Sequence, residues 1–590
     1  MISQWEFCLL THFQVRNLEE TKQFSGDSFR EELFIKPLTN GHVYSYFQFT
    51  TVWNTSSRSN PYQHCHLFPR ALGEIVTNFN VQELHISLTQ GLWRHDKWGY
   101  PVHNGAPGAE VWVWFRNGTT NVSETWRKLT ASLSGLLCAS LNFLDDTNSI
   151  SPQYSFRHAG VVSDNVDPNL LRYGTLPQEV VCTENLTPWK KLLPCNSKKG
   201  LASLLNAGYI HNTNYHSLGI HLREICRDKS CTKAAIELKQ TVSLVYDLVL
   251  LESGDADFSI RKLFGSGIPN RCPLAEESWV YIDVTNNNKN PLKLVPKPMF
   301  KTTSVRGGSQ SEIAVYNLKE VQGMFNIAVT YKKKSLEFQA VRPPLIWANR
   351  FISGYGKQKG GIITKIFNKH WMPLAVIVLE NIPWYVPVYL HTLKVVSNGM
   401  EINPAVIKYV PGRPRLNPTH LELLLQLPPR SDTDISIEFD YVFLKWQEYP
   451  PDASHGFYIG SSVITSWLPM AKNYTGIPQD ESYFGSSFNA SRDGYLVRLR
   501  TESMIITLPT PDFSMPYNVI CLVCTVVALA FGPMHNITTK KLRISKDRKP
   551  QGLLIQLMWK VWKAVKGKNE SDKEEEQEER ENDEQKSKVE

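Results

Sequence analysis

Ile435-Ser436-Ile437-Glu438-Phe439-Asp440-Tyr441 alternates apolar and polar side chains without a break. Successive side chains of a strand point to opposite faces, so a period of two reads as a half-buried β-strand. Glu83-Leu84-His85-Ile86-Ser87-Leu88 repeats the pattern, and Val111-Trp112-Val113-Trp114-Phe115 forms an aromatic version that stops at Asn117-Gly118. Phe34 to Leu38 and Val43 to Phe49 flank Thr39-Asn40-Gly41-His42, the signature of a hairpin. Arg498-Leu499-Arg500 leads into Ile505-Ile506-Thr507-Leu508. Thr125 to Leu144 and Ser203-Leu204-Leu205 read as helical exceptions. The 16 Trp and 23 Tyr favour aromatic-packed sheets over helical bundles. The expected class is mainly β: tandem antiparallel β-sandwich-like domains at 27–260 and 261–510, a few helices, and one C-terminal transmembrane helix.

The transmembrane reading rests on 513–536, which holds no charged side chain with His535 neutral. Its core, Tyr517 to Met534, is 18 residues long and suffices to cross about 30 Å of hydrocarbon. Lys540, Lys541, Arg543, Lys546, Arg548 and Lys549 follow it, whereas the preceding flank holds Asp512 and no nearby Lys or Arg. The positive-inside rule then puts 537–590 in the cytosol and the N-terminal region in the lumen, a single-pass type I topology. The net charge of +8 coexists with mixed signs along most of the chain, so no nucleic-acid partner is expected.

Within the tail, Leu553, Leu554, Leu557, Met558, Val561 and Val565 recur at helical spacing beside Lys560, Lys563, Lys566 and Lys568. This reads as a basic amphipathic helix on the cytosolic leaflet, with a calmodulin-type target as the second reading. Glu574 to Glu584 reads as disordered. Lys586 and Lys588, third and fifth from the end, match a dilysine address for retrieval to the endoplasmic reticulum. Lumenal exposure agrees with N-x-S/T sequons at Asn54, Asn117, Asn121, Asn185, Asn473 and Asn489. Residues 1–26 contain no apolar stretch of secretory-leader length. They are set aside as a divergent N-terminus, the leader being absent from this sequence or displaced by a misassigned start.

Of ten cysteines, seven fall in the region assigned to the lumen: Cys65, Cys138, Cys182, Cys195, Cys226, Cys231 and Cys272. Most should pair in an oxidising compartment, and the odd count leaves a thiol for another chain or for none. Cys138, in Leu136-Leu137-Cys138-Ala139, reads as a buried small hydrophobe. A thiol enzyme using Cys182 would need a held general base, and no cysteine-protease signature surrounds Val181-Cys182-Thr183-Glu184. His64-Cys65-His66 offers two ligands on one strand face, too few for zinc. The glycines at 354, 356, 360 and 361 match no phosphate-binding fingerprint and read as turns or close backbone approaches. No catalytic residue, metal or cofactor is expected. The chain reads as a binding or assembly protein, with a type I adhesion or receptor ectodomain as one form of it.

Several runs resemble the PIG-T family. Arg30-Glu31-Glu32-Leu33, Thr89 to Arg94, Gly108 to Phe115, Cys138 to Phe143, Ser353 to Gly356, Pro383-Trp384-Tyr385, Leu444-Lys445-Trp446, His455 to Tyr458 and Leu508 to Cys521 are among them. The longest lumenal run is Glu179-Val-Val-Cys-Thr-Glu-Asn-Leu-Thr-Pro-Trp-Lys-Lys-Leu-Leu-Pro-Cys195. The similarity extends from about Asp27 to Asn536. It implies a non-catalytic subunit of the endoplasmic-reticulum GPI transamidase, working with PIG-K-like, PIG-S-like, PIG-U-like and aminopeptidase-like subunits on a GPI lipid and a proprotein. The PIG-K-like cysteine protease performs the chemistry, and Cys182 matches the position of an interchain disulfide to it. Cys195–Cys272 and Cys226–Cys231 would then close within the chain, with Cys65 left free.

Overall fold

The computed structural model describes residues 27–54, 67–160, 167–195, 198–226, 234–251, 255–285, 291–306, 309–321, 323–333, 344–354, 358–450, 452–469, 494–510, 512, 514–540 and 552–564. It divides into two units, 1–510 and 511–590.

The N-terminal unit is mainly β. Ser28–Pro37 and His42–Asn54 form the expected hairpin, with Asn40 and Gly41 at φ 62° and 76° making the turn. Positive φ at both central residues matches the twist of the flanking strands. This hairpin sits in an 11-stranded sheet. On one side of it come Glu277–Asp283, Ser309–Asn317 and Phe300–Arg306. On the other come Ala234–Asp247, Tyr215–Cys226, Val81–Gln90, Gly108–Phe115, Leu171–Leu176 and Ser149–Ile150. All neighbours are antiparallel except Ser28–Pro37 against Glu277–Asp283. That pairing crosses the boundary expected at 260/261. The sheets change over later, between Tyr331 and Ile346.

The second set of strands forms two five-stranded sheets. Ile346–Ser353, Lys359–Asn368, Ser431–Asp440, Lys394–Ser397 and Met400–Glu401 make one; Val406–Val410, Thr419–Leu427, Leu374–Ile382, Val463–Pro469 and Gly494–Arg500 make the other. Their inner faces share one core, with Ile362, Ile366, Ile435, Ile437 and Phe439 meeting Val376, Val378, Leu423, Leu425 and Leu499. This is a stacked sandwich. Ile435, Ile437 and Phe439 point inward, as the alternation requires. Gly360 leaves room for the tip of the Phe439 ring, because a Cβ there would sit 2.6 Å from its Cζ.

The first sheet differs from a sandwich. One face packs against helices: Leu33, Phe47, Leu84, Val111 and Val242 bury with Leu72, Val76, Trp126, Leu133 and Trp189. The helices are Arg70–Asn78, Val122–Leu137 and Thr183–Lys191. The helix expected over Thr125 to Leu144 starts earlier, because Asn121 caps it by accepting from the Glu124 amide at 3.1 Å. It stops at Leu137, where Cys138 turns left-handed (φ 51°, ψ 39°). Leu141–Phe143 forms a separate 3-10 turn.

The opposite face carries a buried aromatic cluster around Phe34, Tyr44, Trp93, Tyr215 and Tyr281 at one end, and elsewhere it is polar and still buried. Glu83, His85, Ser87, Thr89, Glu110, His221 and Lys239 are each at most 9% exposed. The sandwich covers part of this face through its edge strand Gly494–Arg500. Arg500 donates to Glu110 from Nε at 2.8 Å and to Asn104 from Nη1 at 3.1 Å. The Arg498 guanidinium lies 4.6 Å from the Phe156 ring centre and 5.4 Å from that of Trp112. Tyr100 Oη accepts from the Ile346 amide at 2.8 Å. Glu422 accepts from the amides of Gln153 (2.8 Å) and Ser155 (3.1 Å) and from the Ser155 hydroxyl (2.8 Å).

Burial works to raise the Glu422 carboxyl pKa, but His420, Gln153 N–H and Ser155 outweigh it and bring it down to about 2. Such a group adds stability that is complete above its unfolded value near 4.5 and lost as pH falls toward 2, about 3 kcal/mol in all. Glu422→Gln should therefore lower the unfolding temperature at pH 7 and flatten its dependence on pH between about 4.5 and 2, read by thermal melts of the detergent-solubilised protein. Glu110→Ala strands a buried guanidinium and should cost roughly 3–5 kcal/mol. In the same melts Glu110→Leu with Arg500→Met should lose less than Glu110→Ala, since no charge is left unpaired.

Candidate functional site

The helix Thr183–Lys191 lies against the apolar face of the large sheet, with Leu186 and Trp189 buried. Trp189 fixes its depth by donating from the indole N–H to the Gly219 carbonyl at 3.1 Å, and Gln240 donates to the Trp189 carbonyl. Its start is set by Asn185. The amide oxygen accepts from Cys182 N–H at 2.9 Å, and the amide nitrogen donates to the Cys138 carbonyl at 2.7 Å and the Leu137 carbonyl at 3.3 Å. One side chain thus ties the N-terminus of this helix to the C-terminus of Val122–Leu137.

Cys182 occupies the extended residue just before the helix, half-buried and unpaired. Val181 beside it is buried, while Val180 is 67% exposed. Glu179 accepts from the Ser140 amide at 2.9 Å, bringing the turn before Phe143 to the same neighbourhood, and Phe143 is 62% exposed. The surroundings of Cys182 are therefore a rigid platform with apolar side chains turned outward. His216 is pushed down to about 4 by burial, and its ring nitrogens face His211 and Thr213. It also bonds the Val181 backbone beside Cys182, and its lowered pKa makes it a weak base for a thiol.

Cys138 corrects the sequence reading, being exposed rather than buried. The apolar run ends a helix, so Leu137 and Ala139 turn into the core while the left-handed residue between them faces out. Asn185 is read from the sequence as a glycan acceptor. The sequon is intact, but the side chain is 2% exposed and its nitrogen is bonded to two carbonyls, leaving no room for a glycan in this fold. Asn117 and Asn121 are exposed. Asn54 ends its strand. Asn473, Asn489, Cys65, His64, His66, Cys231, Lys586 and Lys588 lie outside the described residues, as does the side chain of Cys226.

Cys195 and Cys272 are joined by a disulfide with Cα atoms 5.9 Å apart. It anchors the segment after the Cys182 helix to the approach of the strand Glu277–Asp283. The packing there is close enough to demand glycine at 200. Its φ is +70°, and a Cβ would lie 2.5 Å from the Glu31 carboxylate and 2.8 Å from the Cys272 Cβ. Among the described residues no group of three or more His, Cys, Asp or Glu side chains could hold a metal ion. The outward Val180 and Phe143 had no signal in a single sequence, because exposure of an apolar residue is set by its neighbours.

Thr187→Ala destroys the sequon at Asn185 while leaving the Asn185 bonds in place. It should leave electrophoretic mobility unchanged before and after glycosidase treatment; loss of one glycan increment would show that Asn185 is modified.

Comparison with known proteins agrees with the sequence resemblance. The family described as Gpi16 subunit, GPI transamidase component, matches residues 9–253 and 250–565. The GPI-anchor transamidase component PIGT of Homo sapiens is 44% identical over 531 residues, covering 88% of this chain and 92% of that protein. The PIG-T homolog of Schizosaccharomyces pombe is 29% identical over 90% of this chain and 93% of its own length. GPI16 of Saccharomyces cerevisiae is 27% identical, with coverage of 87% and 88%. The chain belongs to the Gpi16/PIG-T family of GPI transamidase components.

Proposed function

We propose that this chain is the non-catalytic assembly subunit of a GPI transamidase in the endoplasmic reticulum, and that Cys182 joins it covalently to a PIG-K-like cysteine protease subunit. The observation that carries this is the presentation of Cys182. An unpaired, partly exposed thiol is held on the rim of a buried helix, in a chain of this family. Partner capture through a disulfide needs a sulfur that is reachable and fixed in direction, and Asn185 supplies the fixing. Val180 and Phe143 would add apolar contact around the bond. The role is to stabilise the protease subunit while it transfers proprotein C-termini to the GPI lipid, beside PIG-S-like, PIG-U-like and aminopeptidase-like subunits.

The C-terminal unit supports a single-pass topology. Ser514–Thr539 is a single helix, and Tyr517–Thr539 is long and apolar enough to span a membrane. Lys540 and the basic cluster beyond it favour a cytosolic tail. Residues 553–564 are helical. Leu553, Leu554, Leu557, Met558 and Val561 are exposed there. That pattern suits a helix lying on the cytosolic leaflet, with Lys586 and Lys588 as a retrieval address and Asn54, Asn117, Asn121, Asn473 and Asn489 as lumenal glycan acceptors.

The test is a gel of the native complex with and without reductant. The wild type should give a reductant-sensitive band at the summed mass of the two subunits, absent for Cys182→Ser. Cells depleted of the chain should lose surface GPI-anchored proteins. Normal GPI anchoring in null cells would overturn the assembly role, whereas a wild type that runs unlinked would overturn only the covalent contact.

A further inference from the structure

The turn 441–449 exposes more aromatic surface than a water-facing turn needs. Phe443 is 83% exposed and Trp446 56%, and Leu416 on the neighbouring turn is 62% exposed. Lys445 falls between Phe443 and Trp446 in sequence and is exposed as well.

These side chains stand on a stiff support. Glu448 accepts from Arg415 Nη2 at 2.9 Å and from the Lys445 amide at 2.8 Å, clamping the two turns together. The Arg415 guanidinium also lies 5.1 Å from the Trp384 ring centre. The Tyr449 hydroxyl donates to the Pro509 carbonyl, and its ring packs 5.6 Å from Phe457. Phe457 in turn pairs with Ile506 in a two-stranded ladder. The aromatic turn is therefore bound to the last segment of the N-terminal unit.

Chain length then places it. Ser514, where the apolar helix starts, is five residues after Pro509. Five residues reach about 18 Å at most. If Tyr517–Thr539 crosses a bilayer, the turn cannot stand far from that bilayer's surface. Exposed rings beside a lysine are the composition of an interfacial anchor: the rings enter the headgroup layer and Lys445 meets phosphate.

We propose that the turn 441–449, with Leu416, is a membrane-contacting foot, and that Phe443 and Trp446 insert into the interfacial layer of the bilayer that Tyr517–Thr539 crosses. The proposal rests on the membrane-spanning reading of that helix. It gives the protein body a second attachment to the membrane, fixing its tilt where a single helix and a short linker would let it swing.

The experiment uses the full-length chain in microsomes carrying a clickable phospholipid. Phe443, Trp446 and, as a control, Trp371 are replaced singly by p-benzoylphenylalanine and irradiated. Trp371 is 69% exposed but sits beyond Asn368, which pairs with Ser431 at the other end of the strand Ser431–Asp440. That is about 30 Å from the foot. Lipid adducts at 443 and 446 several-fold above those at 371 are expected. Crosslinks to another protein subunit would overturn the proposal and make the turn a subunit interface. So would equal adducts at all three sites. Alkaline carbonate extraction separates the two readings: a chain that resists extraction yet gives no lipid adduct refutes the foot alone, and a released chain refutes the spanning helix and the foot together. A second measurement avoids the unnatural residue. In nanodiscs, brominated lipid should quench wild-type tryptophan emission more than that of Trp446→Phe; equal quenching overturns the proposal.

Discussion

Glu110 and Arg500 meet out of water, between a sheet and the edge strand of a sandwich. A buried pair of this kind contributes little net stability against an apolar replacement, but it is costly to break, so it dictates which surfaces can come together. The polar part of the large sheet's sandwich-facing side could not be covered by an apolar layer alone. It requires partners with charges and donors at matching positions, and Arg500, Arg498 and the amides that Glu422 receives supply them. Glu83 belongs to the same face. Burial works to raise its pKa, but His158, His85 and the Ala159 amide hold it well below the usual carboxylate range. Polar complementarity thus selects how sheet and sandwich meet, and apolar packing of Leu379 and Val463 into the first core adds to the union.

That division of labour leaves the opposite face to be covered by helices. Helices on the apolar face are anchored by indoles and leucines, and their ends can be shaped independently. Asn185 uses this freedom. It joins two helix termini with three hydrogen bonds and leaves Cys182 and Cys138 at the surface, where a core position would have sealed them. The disulfide between Cys195 and Cys272 spans 77 residues and pins the same corner to the sheet. In the chain-entropy account a closure of that length is worth about 4.5 kcal/mol. The disulfide and the Asn185 bonds together hold this corner in one arrangement.

Much of the fold was legible in the residues. Asn40-Gly41 announced the first hairpin, Ile435 to Phe439 the sandwich strand, and the uncharged run after Asp512 the apolar helix. Each is a local signal, set by dihedral preference or by the periodicity of one element. The extent of the first sheet was not legible. Ser28–Pro37 takes a parallel partner, Glu277–Asp283, more than two hundred residues later, and nothing in either strand's alternation says which strand it will join. The site was legible only in part. Cys182 could be singled out, whereas the platform around it depends on contacts between segments far apart in sequence.

What the sequence by itself determined is the period of each strand, the caps and turns, the apolar helix and the family, because these are properties of contiguous residues. Tertiary structure alone decided the fate of polar positions. Glu83, His85 and Ser87 carry the alternation of a strand with one wet face, yet both faces are buried. Asn185 carries an intact sequon, yet its amide is spent inside the protein. Cys138 ends an apolar run, yet it faces out. The reason is the same in each case. A polar group can be satisfied by water, by a glycan or by a distant partner, and only the arrival of that partner in three dimensions settles which of these it meets.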